Sequence, residues 1–330
     1  MRLKTSKFLL ILAIFGSFSM IFSSCQADND VRTIKLGHGL DMTHPVHKAM
    51  VFMAERLEEK SNGTLVLDIY PNQQLGSERE CLELLQIGSL GMTKVSTGVL
   101  ENFVPELKVM GLPFLFRDSQ HRYNVLEGEV GEELLNASLP KRLKGLTFYD
   151  AGSRSFYSKT PINTPDDLDG EKMRVMESQT AINMVKVFGG SPTPIAWGEL
   201  YTALQQGIVD GAENNLPSFY LSRHYEVCKY YTMDEHTAVP DELLISSLLW
   251  DKLSENEQKW VKEAAVESRV YEKEIWHEAE MEALEKIKEA GVQVIIPNKE
   301  IFRERVQPLY EEYKQVPEMK KLIEQIQAVN

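Results

Sequence analysis

The first third of the chain shows two different periods of hydrophobic positions. Residues 31–38 alternate apolar and polar side chains, and residues 64–70 form a second strand-like run. Between them one apolar stripe recurs at helical spacing, made of Val46, Met50, Met53, Ala54 and Leu57. Thr43 is expected to cap this helix, with Pro45 in its first turn. The pattern therefore predicts a strand, a helix and a second strand in succession.

The following segment continues the alternation of strands and helices. Gly76 and Ser77 open a helix that stops at Gly88, and residues 92–95 form another short strand. The order β-α-β-α-β predicts a parallel sheet with helices packed on its faces. Residues 101–140 are predicted to be mainly helical.

A second α/β cycle then begins. Strands are predicted over residues 146–150 and 208–212, with helices over residues 180–188 and 197–206. Glycines follow both helices, as is common at helix C-termini. Two separate cycles predict an α/β protein with two lobes rather than one long sheet.

The last third contains one long helical pattern. Residues 239–250 are strand-like, and a capping box at Ser254 and Glu257 then starts a helix that ends at Gly291. At about 1.5 Å per residue, such a helix is roughly 50 Å long. This length exceeds one small lobe, so we expect the helix to run across both. The stretch after Pro297 is predicted to complete a strand and then form helices.

The N-terminus has the pattern of a lipoprotein signal peptide. Residues 1–24 combine a basic head, a short apolar core and small closing residues, and Cys25 follows directly. The apolar run is too short for a convincing membrane span. We expect export to the periplasm or cell surface, with acyl chains on Cys25 as anchor and residues 25–30 as linker. Ordinary cleavage that leaves Cys25 unmodified is the alternative.

Charge and cysteine content narrow the possible partners. The 330-residue chain has a formal net charge of −13, which becomes −16 when the three basic residues of the signal peptide are lost. An acidic body disfavours nucleic acid, but a local pair of arginines can still dominate a pocket for a small anion. We expect Cys81 and Cys228 to be free buried thiols rather than a disulfide.

Two arginines near the ends of short extended segments are the main candidates for binding such an anion. Arg154 and Arg174 keep their charge and present planar forks of donors that fit a carboxylate. No residue nearby in sequence is obviously placed to neutralise both guanidinium groups. Asn214 and Asn215 follow a glycine turn further along. The alternative interpretation is that each arginine belongs to a surface ion pair.

Seven stretches that contain these residues occur in a characteristic order. They are Tyr70-Pro-Asn-Gln-Gln-Leu-Gly76, Gly111-Leu-Pro-Phe114, Ser153-Arg154, Gly170-Glu-Lys-Met-Arg174-Val175, Gly190-Ser-Pro-Thr-Pro194, Glu199-Leu-Tyr-Thr-Ala-Leu-Gln205 and Val209-Asp-Gly-Ala-Glu-Asn214. With them, the chain resembles the extracytoplasmic solute-binding proteins of TRAP transporters, the DctP-type family. The resemblance covers nearly all of residues 31–315.

The resemblance implies a periplasmic-binding-protein fold whose two α/β lobes close on ligand about a hinge. Lobe I would comprise residues 31–151 and about 240–279, and lobe II residues 152–239 and about 280–330. It also implies delivery of the ligand to a sodium-driven TRAP permease. Neither enzymatic activity nor a cofactor is implied.

The resemblance also assigns roles within the site. Arg174 would form the main salt bridge to a ligand carboxylate, Arg154 would add a second contact, and Asn214 would donate to the same group. Trp197 matches a position that often presents an aromatic ring to the bound molecule, and a sugar ring can pack on such a face. The alternative is a tryptophan of the lobe core.

Polar residues of both lobes complete the predicted site. The further predicted contacts are Glu78, Lys94, Glu177, Asn215, His236, His38, His44 and Lys48. Glu78 could instead serve only the N-terminus of its helix, where a carboxylate is favourable. His44 and His47 lie three residues apart, but no nearby Cys, Asp or Glu completes a zinc site. Surface or capping histidines are the alternative.

This set of side chains suits a hydroxylated acid. Residues 39–45 and 150–154 resemble those of the hexuronate-binding members, so we expect D-glucuronate or D-galacturonate, with related aldonates next. A secreted uronate-processing enzyme, with His44 or His236 as base, is an alternative from another class. The sequence shows no nucleophile elbow and no cofactor fingerprint to support it. A ligand-sensing partner of a membrane receptor would use the same cleft.

Overall fold

The computed structural model describes residues 31–330, and its strands form two sheets. The strands are β1 (Arg32–Gly37), β2 (Leu65–Tyr70), β3 (Met92–Ser96), β4 (Leu143–Tyr149), β5 (Arg154–Ser158), β6 (Lys172–Val175), β7 (Ser191–Pro194), β8 (Gly211–Asn214), β9 (Tyr230–Thr237), β10 (Asp241–Ser246) and β11 (Gln293–Ile295). The first sheet has the order β2-β1-β3-β10-β4, and the second has the order β11-β9-β5-β8-β6-β7. The two sheets confirm the prediction of a two-lobed α/β protein.

Helices cover the faces of both sheets. The α-helices are α1 (Pro45–Lys60), α2 (Glu78–Gln86), α3 (Thr97–Leu100), α4 (Ser119–Glu127), α5 (Glu129–Ala137), α6 (Gln179–Phe188), α7 (Leu200–Gln205), α8 (Leu216–Leu221), α9 (Ser247–Trp250), α10 (Glu255–Glu289), α11 (Lys299–Arg305), α12 (Gln307–Tyr313) and α13 (Pro317–Ala328). Short 3-10 helices occupy Pro105–Gly111, Leu139–Lys141, Pro165–Leu168, Trp197–Glu199 and His224–Glu226.

The predicted parallel arrangement holds for the first three strands. β1 pairs in parallel with β2 and β3, whereas β10 enters between β3 and β4 and is antiparallel to both. The chain thus returns to the first sheet after building most of the second. As a result, the side chains at the start of β10 lie beside those of β3, although the two strands are far apart in sequence.

Four local predictions were wrong. The strand end expected after Pro297 lies before it, because β11 stops at Ile295. His44, not Thr43, caps α1, because its Nδ1 accepts a hydrogen bond from the backbone N–H of Val46. The strand expected over residues 208–212 lies instead at Gly211–Asn214, and the apolar Ile208 is 51% exposed in the preceding turn. The strand expected over residues 239–250 ends at Ser246, and α9 follows.

Two crossings join the lobes, one from β4 to β5 and one from β9 to β10. In the first crossing Gly152 has a φ of +56°, and a Cβ there would clash with the side chains of Trp276 and Glu280 on α10. Only glycine satisfies both conditions without strain. The crossing is further tied to α10 because the backbone N–H of Asp150 donates to Glu272 at 3.1 Å.

Helix α10 packs on both lobes, as its predicted length required. Its N-terminal half contacts α1 and β4, and its buried Val261 and Ala264 belong to the core of the first sheet. Its C-terminal half contacts α8, and Ile287 belongs to the core of the second sheet. The predicted capping box is present, with Ser254 and Glu257 each bonded to the other's backbone.

The remaining parts of the chain complete the two bodies. Helix α11 packs on β9, whereas α13 packs on α5 and on the 3-10 helix Pro105–Gly111. Cys81 and Cys228 are buried and free, as predicted. Within residues 31–330, no helix has the length and apolarity to cross a membrane. The predictions for residues 1–24, Cys25 and the linker fall outside the described residues.

Candidate functional site

A cavity lies between the two lobes, beside α10. It encloses about 700 Å³ including its mouth, which suits a small ligand. Nine of the twelve predicted contact residues line it, and these are Arg154, Arg174, Glu177, Trp197, Asn214, Asn215, His44, Glu78 and Lys94. Since these residues come from strands and helices of both sheets, the cavity is a cleft between the lobes.

Arg174 on β6 is a buried positive charge without a carboxylate partner among the described residues. Its Nε donates to the backbone oxygen of Ile195 at 2.9 Å, while its buried Nη1 has no protein acceptor there. The guanidinium carbon lies 5.8 Å from the centre of the Trp197 ring. Burial lowers the pKa of Arg174, although an arginine keeps its proton in proteins. Its remaining N–H groups are therefore available to an anion in the cleft.

Arg154 on β5 is already paired within the protein. Its Nε and Nη2 donate to the two carboxylate oxygens of Glu213 at 2.6 and 2.9 Å, and its Nη1 donates to Oδ1 of Asn214 at 2.8 Å. The partner of Arg154 is therefore a residue 59 positions away, which a search among its neighbours in sequence does not find. Oδ1 of Asn214 also accepts from the N–H of Asn215, so the amide orientation is fixed by two donors. The Nδ2 of Asn214 is left for a ligand.

His236 belongs to a buried chain of charges behind Arg154 and does not line the cleft, contrary to its predicted role as a ligand contact. Its Nδ1 lies 2.7 Å from Asp234 and its Nε2 3.7 Å from Glu213. Burial alone would lower the pKa of His236, but Asp234 and Glu213 raise it to about 9. Burial opposes ionisation of Glu213, yet Arg154 and His236 lower its pKa to about 2. These charged side chains therefore form an ionised network that holds Arg154 in place.

A second charge cluster forms the first-lobe wall. Lys94 on β3 donates to Asp241 at 2.9 Å and to Glu78 at 3.1 Å. Burial opposes the charge of Lys94, but the two carboxylates raise its pKa. Burial raises the pKa of Asp241, and Lys94 opposes this shift. One ammonium group thus faces two carboxylates.

Several contacts cross the cleft and hold the lobes close together. Nε2 of His44 lies 3.2 Å from Oγ of Ser218 on α8, and Nδ2 of Asn102 donates to the backbone oxygen of Glu177. A Cβ on Gly198 would clash with the carboxamide of Gln73 from the other lobe. Because these contacts join residues of both lobes across the cavity, the structure shows a closed cleft.

The same fold occurs in known proteins. Residues 36–316 match the family described as DctP, bacterial extracellular solute-binding protein, family 7. The chain belongs to this family. Its members are solute-binding proteins and not enzymes, so the alternative of a uronate-processing enzyme is excluded. Membership implies a TRAP membrane permease as partner and an extracytoplasmic, periplasmic location.

Three solved TRAP solute-binding proteins are similar to this chain, each with a TM-score of 0.88. The protein from Xanthobacter autotrophicus Py2, with bound β-D-galacturonate, is 39% identical, and the match covers 90% of this chain and 100% of that chain. The protein from Pseudomonas putida F1, with bound D-glucuronate, is 34% identical, with coverages of 91% and 98%. The protein from Polaromonas sp. JS666, bound to D-erythronate, is 34% identical, with coverages of 90% and 99%.

Two further predicted contacts of this solute-binding protein lie outside the cleft. His38 is buried, with its Nε2 3.0 Å from Nδ1 of His47 and its Nδ1 accepting from the N–H of Leu40. Lys48 is exposed on α1 and points away from the cavity lining. Neither residue lines the cavity, because residues three or four apart on a helix, or at a strand end, need not face the same side. Asn215 does line the cleft, but its amide bonds to Ala151 and Ser218.

Asp241, Gln73, Ser218 and Trp276 line the cleft of the solute-binding protein but were not predicted. Asp241 directly follows Pro240 at the start of β10, so a polar residue at a strand end was a usable signal. Trp276 stands at a core position of the helical pattern of α10, and that periodicity gives no sign of ligand contact. Gln73 lies inside a family stretch whose function the sequence does not state.

Proposed function

We propose that this TRAP solute-binding protein captures a hexuronate, D-galacturonate or D-glucuronate, with related aldonates as the next candidates. The observation that carries the proposal is Arg174, a buried guanidinium whose free donors face the cleft without a protein carboxylate. Such an arrangement favours a ligand that brings one carboxylate of its own. The ligands bound to the Xanthobacter, Pseudomonas and Polaromonas proteins are all sugar acids, which supports this choice.

In the proposed complex, the ligand carboxylate contacts Arg174 from one side and Nδ2 of Asn214 from another. Arg154 adds a weaker contact because two of its nitrogens are already bonded to Glu213. Trp197 offers its ring to the C–H face of the sugar, as its half-buried position beside Arg174 permits. We further propose that Glu177 and Asn215 contact the ligand at the edges of this subsite.

The first-lobe wall is proposed to receive the hydroxyl groups. His44 contributes a neutral ring, because burial and the nearby Lys94 lower its pKa to about 3. Its Nδ1 accepts from the backbone of Val46, so Nε2 carries the proton, which a ligand hydroxyl would share with Oγ of Ser218. Glu78 and Lys94 supply an acceptor and a donor at the opposite side.

Capture is proposed to proceed by closure of the two lobes. Lobe I comprises residues 31–151 and about 240–279, and lobe II residues 152–239 and about 280–330, with α13 reaching back to the first lobe. A ligand that contacts Arg174 on one lobe and Lys94 on the other bridges them only when they are closed. Its binding energy therefore shifts the population towards the closed form that the permease receives.

A lipid anchor at Cys25 is part of the proposal. It is supported by the basic head, apolar core and small residues that precede this cysteine in residues 1–24. Mass spectrometry of the mature protein, compared with a Cys25→Ser variant, tests it. We expect an acylated N-terminal cysteine in the first protein and a soluble, unmodified product in the second. An unmodified Cys25 in a processed chain would contradict the anchor.

A thermal-shift screen tests the ligand assignment directly. The purified protein is heated with hexuronates, aldonates, C4-dicarboxylates and sialic acid. We expect the largest rise in Tm with D-galacturonate or D-glucuronate and recovery of the sugar unchanged. A larger rise with a C4-dicarboxylate or sialic acid would overturn the hexuronate assignment. Uptake of the sugar acid by vesicles that contain the TRAP permease, measured with and without this protein, separates transport from a sensory role.

A further inference from the structure

We propose that the cleft selects against a second carboxylate on the ligand, through a negative pole formed by Asp241 and Glu78 opposite Arg174. The inference rests on the proposed function, because it names which sugar acids the same site accepts. Such a cleft favours acids that have one carboxylate and hydroxyl groups at the opposite end, and it excludes aldarates and other dicarboxylates.

The charges of the cleft are divided unequally between its two walls. In the second lobe, Glu213 neutralises Arg154, and Arg174 has no carboxylate partner within the described residues. Glu177 also lines the cleft on this side but forms no ion pair with either arginine there. In the first lobe, Lys94 faces both Asp241 and Glu78, so that wall holds more negative than positive groups. The cleft therefore has a positive end and a negative end.

The donors of Lys94 and His44 in the first-lobe wall are largely occupied. Lys94 has three N–H donors, and two of them are bonded to Asp241 and Glu78. The ring of His44 is neutral, and its proton lies towards Ser218 at 3.2 Å. Around Asp241 and Glu78 the wall thus retains carboxylate oxygens that accept hydrogen bonds and at most one donor of the ammonium group. Nε2 of Gln73, also in the lining, is a further buried donor without a protein partner among the described residues, but it carries no charge. Hydroxyl groups match these acceptors, because each hydroxyl can donate.

A second ligand carboxylate meets the opposite situation. An ionised carboxylate has acceptors only, and here it would lie against the buried Asp241 and the partly buried Glu78, which share a single cation. Like charges placed side by side in a buried site are strongly unfavourable. The second carboxylate would bind only after taking up a proton or displacing Lys94 from one of its partners.

Two linear sugar acids provide a matched pair of ligands. D-Galactonate and galactarate differ only at C6, which is a hydroxymethyl group in the first and a carboxylate in the second. Titration calorimetry on the wild-type protein measures both, with D-galacturonate as reference. We expect galactarate to bind at least about 30-fold more weakly than galactonate, as expected for unrelieved like charges.

Variants test the origin of the difference. Asp241→Asn and Glu78→Gln each keep the size of the side chain and remove one negative charge. We expect either variant to lower the ratio of the Kd for galactarate to the Kd for galactonate at least threefold, because galactarate binds more tightly. Asp251→Asn removes an exposed charge of the same lobe and should leave the ratio unchanged. Glu78 is only partly buried at the start of α2, so Glu78→Gln remains informative if Asp241→Asn does not fold.

The outcomes separate this inference from the proposed function. If galactonate and galactarate bind with equal affinity, or if neither binds, the inference is overturned. Binding of D-galacturonate in the same experiment would still leave the proposed function intact. If the ratio of the two Kd values is the same in both variants as in the wild type, the inference is also overturned, because the selection against galactarate would then have another source. Absence of binding by D-galacturonate, D-glucuronate and galactonate alike would overturn both.

Discussion

Replacement of Arg174 by glutamine should abolish tight ligand binding and leave the ligand-free protein stable. The guanidinium makes one hydrogen bond to the protein, from Nε to the backbone of Ile195. Loss of that bond costs about 1 kcal/mol. The variant also no longer buries a charge without a partner, which offsets the loss. We therefore expect the Tm of the ligand-free protein to change by no more than a few degrees.

The loss of affinity should be much larger, for a reason visible in the structure. Four of the five N–H donors of Arg174 belong to Nη1 and Nη2, and the buried Nη1 has no protein acceptor in the described residues. Removal of one partner of a buried, hydrogen-bonded charge pair costs roughly 2–5 kcal/mol. This range corresponds to a Kd that is weaker by roughly 30- to 4000-fold.

Lys172 offers a matched control on the same strand. It lies two residues before Arg174, carries the same charge and is exposed. Titration calorimetry with D-galacturonate should show nearly wild-type affinity for Lys172→Gln, because solvent screens an exposed charge. A Kd for Arg174→Gln within threefold of that of Lys172→Gln would refute the role of Arg174 as the carboxylate partner.

Three further perturbations separate binding from stability. Arg154→Gln should destabilise the ligand-free protein by about 3–5 kcal/mol, because it leaves Glu213 buried without its partner; Glu213→Gln in the same background should restore most of that loss in denaturant unfolding. Trp197→Leu should weaken D-galacturonate binding about tenfold with little change in Tm, because the ring is only half-buried beside the guanidinium and leucine can keep its contacts at the edge of the second-sheet core. The pKa of His236 is raised to about 9 in the folded state, so its protonated form stabilises the protein fully below pH 6.5 and this contribution, on the order of 3 kcal/mol, is lost as the pH rises through 9. His236→Asn should flatten the fall in Tm over that range.

Each of these three predictions has an outcome that would contradict it. Equal stability of Arg154→Gln and the wild type would mean that Glu213 is solvated in the ligand-free protein. Unchanged affinity in Trp197→Leu would place its ring outside the sugar subsite. A Tm that falls between pH 6.5 and 9 just as steeply in His236→Asn as in the wild type would assign the pH dependence to other groups. His277, exposed on α10, supplies the control substitution His277→Asn.

The sequence predicted the fold where local pattern and burial agree. The apolar stripe of α1 and the capping box of α10 both appear in the structure, because each depends on residues within a few turns of one another. The strand expected over residues 208–212 failed because Ile208 is apolar but exposed in a turn. A single apolar residue does not report burial when its neighbours in space come from other parts of the chain.

Individual residues of the candidate site could be predicted from their chemistry and from the family resemblance, but the side chains that they pair with could not. Glu213 precedes Asn214, yet its pairing with Arg154 follows from the register of β5 against β8, in which Phe156 faces Glu213. Asp241 reaches Lys94 only because β10 returns to the first sheet beside β3. Pairings of this kind depend on long-range topology, and no local pattern specifies them.

Helix α10 limits how the two lobes can separate. One half belongs to the core of the first sheet, its end belongs to the core of the second, and its middle is bonded to the crossing at Asp150. A rigid rod fixed at both ends to bodies that rotate apart has to flex near its centre. Opening of the cleft to release the ligand would therefore bend α10, and relief of that bending would favour the return of the lobes to the closed arrangement.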